Sequence, residues 1–185
     1  MRFLLALPLL AALSLIGVAQ EPEAKPVDPV TVILVRHAET AGDTSGGGNA
    51  NPGLSEEGKA RAAKLAKLFG NAGVTHAFAS EFNRTQETVA PLGKAAGVET
   101  VSISARDAEA QLKALRGLAP GSVAVVCGHS NTIPAFAKEL GADPQRLEDH
   151  PRYGGLIPHS DYGRIYVVTL PGVKGAQSHG IELNY

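Results

Sequence analysis

The sequence predicts an α/β fold, a three-layer α/β/α sandwich around a mostly parallel sheet. Apolar, strand-like runs alternate four times with segments of helical period between residues 30 and 140, which is the pattern of parallel strands covered by helices on both faces. Hydrophobic residues make up 44% of the 185 residues, enough for the core of one domain. The net charge of −1 provides no basic face of the kind that nucleic-acid binding needs.

The first 29 residues are expected to lie outside this domain. Residues 1–19 carry Arg2, an apolar run and small residues before a cleavage point after Ala19, which is the layout of a secretory signal peptide. The run is shorter than the ~20 residues of a membrane span. We therefore expect an exported protein, periplasmic or secreted, without stable membrane insertion after cleavage; a retained N-terminal anchor is the alternative. Residues 20–29 form a Pro-rich linker, and the domain spans residues 30–185.

The first two strand–helix pairs follow from apolar runs and capping signals. Residues 30–35, VTVILV, predict a buried strand. A helix over 55–69 is predicted by Ser55 as N-cap, two acids in the first turn and apolar residues on one face. A short apolar run predicts a strand over 75–79, and capping-box spacing begins a helix over 83–96.

The remaining elements repeat the alternation. We predict a strand over 98–103, a helix over 107–118 with leucines on one face, a strand over 122–127, a helix over 132–140 with an early proline, a strand over 163–170 and an edge strand over 180–185. Two long irregular stretches, 40–52 and 141–162, separate these elements. Loops of that length in a compact domain are usually functional or mobile.

Charged side chains follow three of the predicted strands. Arg36 and His37 end the first strand, Arg84 begins the helix after the second, and His129 follows the fourth. Ligands of such sheets bind beyond the carboxyl ends of the strands, so we expect the four side chains to converge. Two arginines can clamp the oxygens of a phosphate. One neutral histidine can attack phosphorus, and a second can stabilise the charge on the transferring group.

Four motifs occur in a fixed order along the chain. They are Arg36-His37-Ala38, then LSEEG at 54–58, SEFNRTQET at 80–88 and Gly128-His129-Ser130. In this order and on these elements they resemble the histidine phosphatase superfamily, the phosphoglycerate mutase-like fold, over residues 30–168. The resemblance is to a short member of branch 1, because no Asp follows His129 as it does in the acid-phosphatase branch. A mutase is less expected, since mutases of this superfamily carry long insertions.

The resemblance implies a role for each of the four side chains. His37 would be the nucleophile that accepts the phosphoryl group, Arg36 and Arg84 would bind that group, and His129 would stabilise it during transfer. Neither a cofactor nor a metal is implied. Ala38 departs from the glycine of the family motif, and we expect this smallest of changes to be tolerated.

The proton donor for the leaving group is less well marked in the sequence. In this branch it lies after the third strand, where the chain reads SARDAEA. Asp107 is the first candidate and Glu109 the second, although Asp107 could equally be the N-cap of the third helix. Asp149 and Asp161 in the 141–162 stretch are further candidates.

Other functions fit parts of the same sequence. Ser130, between a strand and a helix, resembles the nucleophile of an α/β serine esterase, with Asp143 or Asp149 and His150, His159 or His179 downstream. A non-catalytic envelope protein that binds a phosphate ester would also use the arginines. A zinc site from His150, His159 and Asp149 or Asp161 has no standard ligand spacing. The favoured prediction is a metal-independent phosphatase, whose substrate is a phosphorylated small molecule or a phosphoprotein.

Overall fold

The computed structural model describes residues 27–42, 51–172 and 176–185. The predicted signal peptide, residues 20–26 of the linker and part of the 40–52 stretch lie outside the described residues. Within the described ranges, no helix combines the length and apolar character needed to cross a membrane.

The described chain contains six strands and four helices in the predicted alternation. In chain order they are β1 (Val30–Arg36), α1 (Glu56–Phe69), β2 (His76–Ala79), α2 (Asn83–Ala96), β3 (Thr100–Ser102), α3 (Ala108–Arg116), β4 (Val123–Gly128), α4 (Thr132–Glu139), β5 (Arg164–Leu170) and β6 (His179–Asn184). Ser55 caps α1 as predicted, because its side chain accepts a hydrogen bond of 3.1 Å from the Gly58 N–H.

The six strands form one mixed sheet in the order β3-β2-β4-β1-β5-β6. β1 pairs with β4, β4 with β2, and β2 with β3 in parallel, whereas β5 is antiparallel to β1 and β6 to β5. The parallel part is therefore confined to four strands. β5 starts beside the end of β1, with Ile165 opposite Val35. The segment before β5 must therefore return to the carboxyl edge of β1, which places residues 158–162 there.

The two faces of the sheet are covered by different helices. Alternate residues of β1 point to opposite faces. Val32 and Leu34 join a cluster with side chains of α3 and α4, such as Leu115 and Phe136. Ile33 and Val35 join a second cluster with side chains of α1 and α2. Because both faces are buried, β1 is apolar from Val32 to Val35, and the charged residues come at the carboxyl end of the strand.

Candidate active site

A cavity of about 300 Å³ lies at the carboxyl edge of the sheet, beyond the ends of β1 and β4. We call it the rim pocket. The residues that line it come from five separate parts of the chain: Arg36, His37, Phe82, Arg84, Ala105, His129, Ser130, Asn131, Thr132 and His159. The structure therefore brings together the four side chains that the sequence predicts to converge, Arg36, His37, Arg84 and His129.

Arg36 is buried and is held by the main chain of residues 158–161. Its Nη1 donates to the carbonyl oxygens of Pro158 at 2.8 Å, His159 at 3.1 Å and Asp161 at 3.1 Å. The guanidinium also stacks on the ring of Tyr162, 4.1 Å from its centroid. Burial lowers the pKa of Arg36, because removal from water disfavours the charged form, and nearby groups such as Tyr162 and Asp161 offset this only in part.

His37 follows β1 directly and is only 6% exposed. Its Nδ1 lies 2.8 Å from the Ala38 carbonyl oxygen. Because a carbonyl only accepts hydrogen bonds, Nδ1 carries the hydrogen and Nε2 keeps its lone pair in the neutral ring. Burial lowers the pKa of His37 to about 3, and the neighbouring His129, Arg36 and Arg84 act in the same direction. At neutral pH the ring is therefore uncharged, with Nε2 able to act as a nucleophile.

Arg84 lies in the first turn of α2 and stacks on the ring of Phe82, 4.3 Å from its centroid. Its Nη2 is 3.5 Å from Nδ1 of His129, at the limit of a hydrogen bond. Among the described atoms, Nε and Nη1 are buried without any hydrogen-bond partner. Burial lowers the pKa of Arg84. Because a buried cation with unpaired donors costs free energy, this geometry favours the binding of an anion.

A chain of hydrogen bonds sets the tautomer of His129. Thr85 Oγ1 has one hydrogen and lies 2.8 Å and 3.0 Å from two main-chain carbonyl oxygens. It therefore accepts from Ser80 Oγ at 2.8 Å, and Ser80 Oγ accepts in turn from His129 Nε2 at 2.9 Å. The lone pair of His129 is thus on Nδ1, next to Arg84. Burial lowers the pKa of His129 to about 3, with Arg84 and Arg36 acting in the same direction.

Ala38 fits the place that a glycine has in the family motif. It is fully buried, and its methyl group packs with Leu54 and Ala62. Its N–H donates to Thr88 Oγ1 at 2.9 Å, and the Thr88 hydroxyl donates to the Arg84 carbonyl oxygen at 2.6 Å. The loop after β1 is thereby tied to the first turn of α2, which fixes His37 and Arg84 relative to each other.

Two motif glycines are required by close approach. A Cβ at Gly58 would collide with the carbonyl oxygen of Glu39. A Cβ at Gly128 would come within 2.7 Å of Thr132 Oγ1, which is the acceptor for the His129 N–H at 2.9 Å. Gly128 therefore lets the turn between β4 and α4 close tightly enough to aim His129 into the rim pocket.

Comparison with known families supports the resemblance. Residues 32–123 match the family model of the histidine phosphatase superfamily (branch 1). This segment contains Arg36, His37 and Arg84, and His129 follows it. No curated protein is significantly similar to the chain in sequence.

Solved structures of this family's fold are similar in shape but distant in sequence. A protein named SixA from Nakamurella multipartitia has a TM-score of 0.59 at 20% identity, covering 86% of this chain and 98% of its own. The protein histidine phosphatase SixA complexed with tungstate has a TM-score of 0.58 at 17% identity, covering 83% of this chain and 96% of its own. The mycobacterial glucosyl-3-phosphoglycerate phosphatase has a TM-score of 0.54 at 16% identity, covering 84% and 97%. These similarities establish the α/β fold with its six-stranded mixed sheet.

The predicted proton donors lie around the rim pocket and do not line it. Asp107 is exposed and caps α3, since its Oδ1 accepts from a main-chain N–H at 2.9 Å. Glu109, in the same first turn, and Asp149 are also exposed. Asp161 is held by Arg164 at 2.6 Å and 2.9 Å. Within the described ranges, no carboxylate lines the rim pocket.

The features behind the other predicted functions are only partly brought together. Ser130 lines the rim pocket, but of the downstream histidines proposed for an esterase only His159 does so, and His150 and His179 do not. The zinc hypothesis gains no support either, because the described residues contain no group of three or more metal-ligating side chains.

Two contributions to the site were missed by sequence reasoning. Tyr162 stacks on Arg36 and lies 6.1 Å from His37 between ring centroids, yet it follows a stretch without a recognisable motif. Ser80 orients His129 and is 2% exposed. Its place at the start of the SEFNRTQET motif was a signal, but the sequence alone does not show which side chain it contacts.

Proposed function

We propose that the chain is a phosphatase of the histidine phosphatase superfamily, and that it hydrolyses phosphomonoesters through a phosphohistidine on His37. The observation that carries this proposal is a buried arginine, Arg36, and a half-buried arginine, Arg84, beside an uncharged histidine. Among the described residues Arg36 bonds only to carbonyl groups, and Arg84 has two nitrogens without a partner. A phosphoryl dianion supplies the missing negative charge and the missing acceptors together.

In the proposed first step, Nε2 of His37 attacks phosphorus and the bond from phosphorus to the ester oxygen breaks. The hydrogen stays on Nδ1 and is donated to the Ala38 carbonyl oxygen, and this hydrogen bond stabilises the positive charge of the phosphohistidine. Arg36 and Arg84 neutralise the phosphoryl oxygens. In the second step, water attacks phosphorus, inorganic phosphate forms and His37 is regenerated.

His129 would respond to the incoming anion. With its Nε2 hydrogen held by Ser80, its free Nδ1 gains a proton when a dianion binds. Burial is the main cause of the low pKa of His129, and the dianion offsets the charges of Arg84 and Arg36 that lower it further. The protonated ring then donates to a phosphoryl oxygen as charge develops there.

The departing oxygen must receive a proton, and Asp107 remains our proposed donor. Its neighbour Ala105 lines the rim pocket, so the carboxyl group has to leave its capping bond in α3 to reach a substrate. Leaving groups that need little protonation avoid this requirement. Phosphorylated small molecules and phosphoproteins are both proposed substrates, and the name of one structural neighbour, a protein histidine phosphatase, supports the second class.

Export and metal independence complete the proposal. The protein would act after removal of residues 1–19, in the periplasm or outside the cell. The chemistry would need no metal, because the nucleophile and the phosphate-binding cations are side chains of the chain itself.

The test uses an aryl phosphate in the presence of excess chelator. We expect turnover and an acid-labile phosphoenzyme in the wild type, and a loss of about 10⁴-fold or more in His37→Ala. The matched control His179→Ala changes an exposed histidine of β6 and should keep full activity. Labelling of His37→Ala would exclude this nucleophile, and phosphate-ester binding without turnover in the wild type would favour the non-catalytic envelope protein. With a poorly leaving alkyl phosphate, an unchanged rate in Asp107→Asn would exclude Asp107 as the donor.

A further inference from the structure

A second, larger cavity adjoins the rim pocket and has no part in the chemistry proposed above. This cavity of about 860 Å³, which we call the side groove, lies between the start of α3, α4 and the turn at residues 152–153. Ala105, Asn131 and Thr132 line both cavities. A ligand whose phosphoryl group lies in the rim pocket can therefore extend its other end into the side groove.

The side groove combines an apolar floor with cationic walls. Ala108, Ala135 and Phe136 line it with hydrocarbon, and Arg106 and Arg152 are the charged residues of its lining. Neither cavity has an Asp or Glu among its described lining residues. Although the whole chain has a net charge of −1, the continuous surface of the two cavities is positive.

Carboxylates close to Arg106 are already engaged elsewhere. Glu81 accepts from the Ala105 N–H at 2.7 Å and from Ser104 Oγ at 3.3 Å. Asp107 accepts from the main chain of α3 at 2.9 Å. These carboxylates bind main-chain and hydroxyl donors. Arg106 forms no salt bridge among the described residues, although its charge contributes to lowering the pKa of Glu81.

Arg152 is positioned by the turn that carries it. Its N–H donates to His150 Nδ1 at 3.2 Å, and the rings of His150 and Tyr153 stack with centroids 4.8 Å apart. The Arg152 guanidinium lies 5.5 Å from the centroid of Tyr153. The stacked rings therefore hold Arg152 at the wall of the side groove, and Tyr153 itself offers an exposed aromatic face there.

We propose that the side groove binds the leaving group of the substrate, and that this leaving group carries a second anionic substituent, a carboxylate or phosphate, on an apolar frame. This inference rests on the proposed function only for the position of the phosphoryl group. Arg106 and Arg152 pair with the second anion, and the alanine and phenylalanine side chains pack against the frame. Both arginines are solvent-exposed, so each pair contributes modestly and the effect appears mainly in substrate discrimination.

The experiment compares substrates that differ in one charge. Rates are measured for 4-carboxyphenyl phosphate and its neutral amide, 4-carbamoylphenyl phosphate. We expect the wild type to prefer the carboxylate about tenfold in kcat/KM, and Arg106→Gln/Arg152→Gln to lose that preference through KM while its rate on the amide stays within about twofold. Arg116→Gln, which changes an exposed arginine that lines neither cavity, should retain the preference. An equal loss on both substrates, or no loss on either, would overturn the inference.

A binding measurement separates this inference from the proposed function. Calorimetry with phenylphosphonate, 4-phosphonobenzoate and the longer 3-(4-phosphonophenyl)propanoate requires no turnover. Carboxylate-dependent tightening that disappears in the double variant, in a protein that hydrolyses nothing, would support the side groove and reject the phosphatase. Hydrolysis of both aryl phosphates without any carboxylate preference in rate or binding would support the phosphatase and reject the side groove.

Discussion

The two arginines of the rim pocket are held in opposite ways. Arg36 is fixed by carbonyl oxygens of residues 158–161, more than 120 positions away in the chain, and we call Arg36 with Tyr162 the loop-held half. Arg84 is fixed by the first turn of α2 and has two buried nitrogens without a partner among the described atoms, whereas Arg36 has one, its Nε. Together with Ser80 and His129, it forms the helix-held half.

This difference gives the two arginines different roles, one in fold stability as well as binding and the other in binding alone. In the loop-held half, hydrogen bonds inside the protein use part of the guanidinium, so Arg36 stabilises the fold as well as carrying charge. In the helix-held half, two donors of Arg84 have no acceptor within the described protein. The free-energy cost of burying them is therefore offset only when an anion binds. The same residue type therefore has different consequences when it is removed.

Within this comparison of the two halves, the largest expected effect comes from removing either arginine. We expect Arg84→Gln and Arg36→Gln each to lower kcat/KM about 10²–10³-fold, the usual effect of losing one donor to a developing charge. Stability should differ, because Arg36→Gln leaves carbonyl groups unpaired and costs about 1–3 kcal/mol more in the free energy of unfolding. Chemical denaturation of both variants measures that difference, and equal stability would remove the distinction between the halves.

The second effect concerns Arg164, which we infer to be a positioning residue for the loop-held half. Arg164 is 3% exposed, pairs with Asp161 and donates to the Gln145 carbonyl at 2.6 Å. It thus ties both ends of the 145–161 segment. In Asp161→Asn, which is gentler than removing the buried arginine, we expect KM to rise roughly tenfold with kcat less affected, since Arg36 loses its exact placement.

Its control is Arg146→Met, which removes an exposed arginine that pairs with Glu182 at 3.0 Å. That variant should keep its KM. If Asp161→Asn lowered kcat while leaving KM unchanged, the segment would not act through phosphate binding.

Acid should lower the free energy of unfolding through His129 of the helix-held half. The pKa of His129 lies at about 3 in the folded protein, below its ordinary value of 6.5, so the folded state binds a proton less readily than the unfolded state. The contribution of the uncharged His129 ring to the free energy of unfolding is complete above pH 6.5. It falls by up to about 1.4 kcal/mol per pH unit as the pH drops toward 3. The unfolding free energy of His129→Asn should therefore decline less steeply over this window than that of the wild type, whereas a parallel decline would contradict the buried neutral ring.

The smallest expected effect is that of Ser80→Ala. Without the Ser80 hydroxyl, Nε2 of His129 loses its partner at 2.9 Å and the tautomer is no longer fixed. We expect kcat to fall about three- to tenfold, or roughly 1 kcal/mol. Ser80→Thr keeps a hydroxyl and should recover part of the rate. A Ser80→Ala enzyme with wild-type kcat would show that the hydrogen-bond chain does not matter for turnover.

The sequence predicted the site better than the contacts that hold it. Apolar runs ending in Arg36-His37 and in Gly128-His129 predict both strands and the edge where they meet, because parallel neighbours end together. The direction of β5 was not predicted, since a strand looks the same in either orientation. The carbonyl oxygens that hold Arg36 could not be predicted either, because main-chain groups have no sequence signature. The sequence also does not distinguish Asp107 as a helix cap from Asp107 as a proton donor.

The main-chain hydrogen bonds to Arg36 have a consequence for how the rim pocket can change during evolution. Carbonyl groups are common to all residues, so side chains at positions 158–160 can change over evolutionary time while the hydrogen bonds to Arg36 persist. His159, whose side chain lines the rim pocket, is one such position. New substrate preferences can therefore arise in this stretch by ordinary substitution, whereas insertions or deletions, which move the backbone, would be selected against.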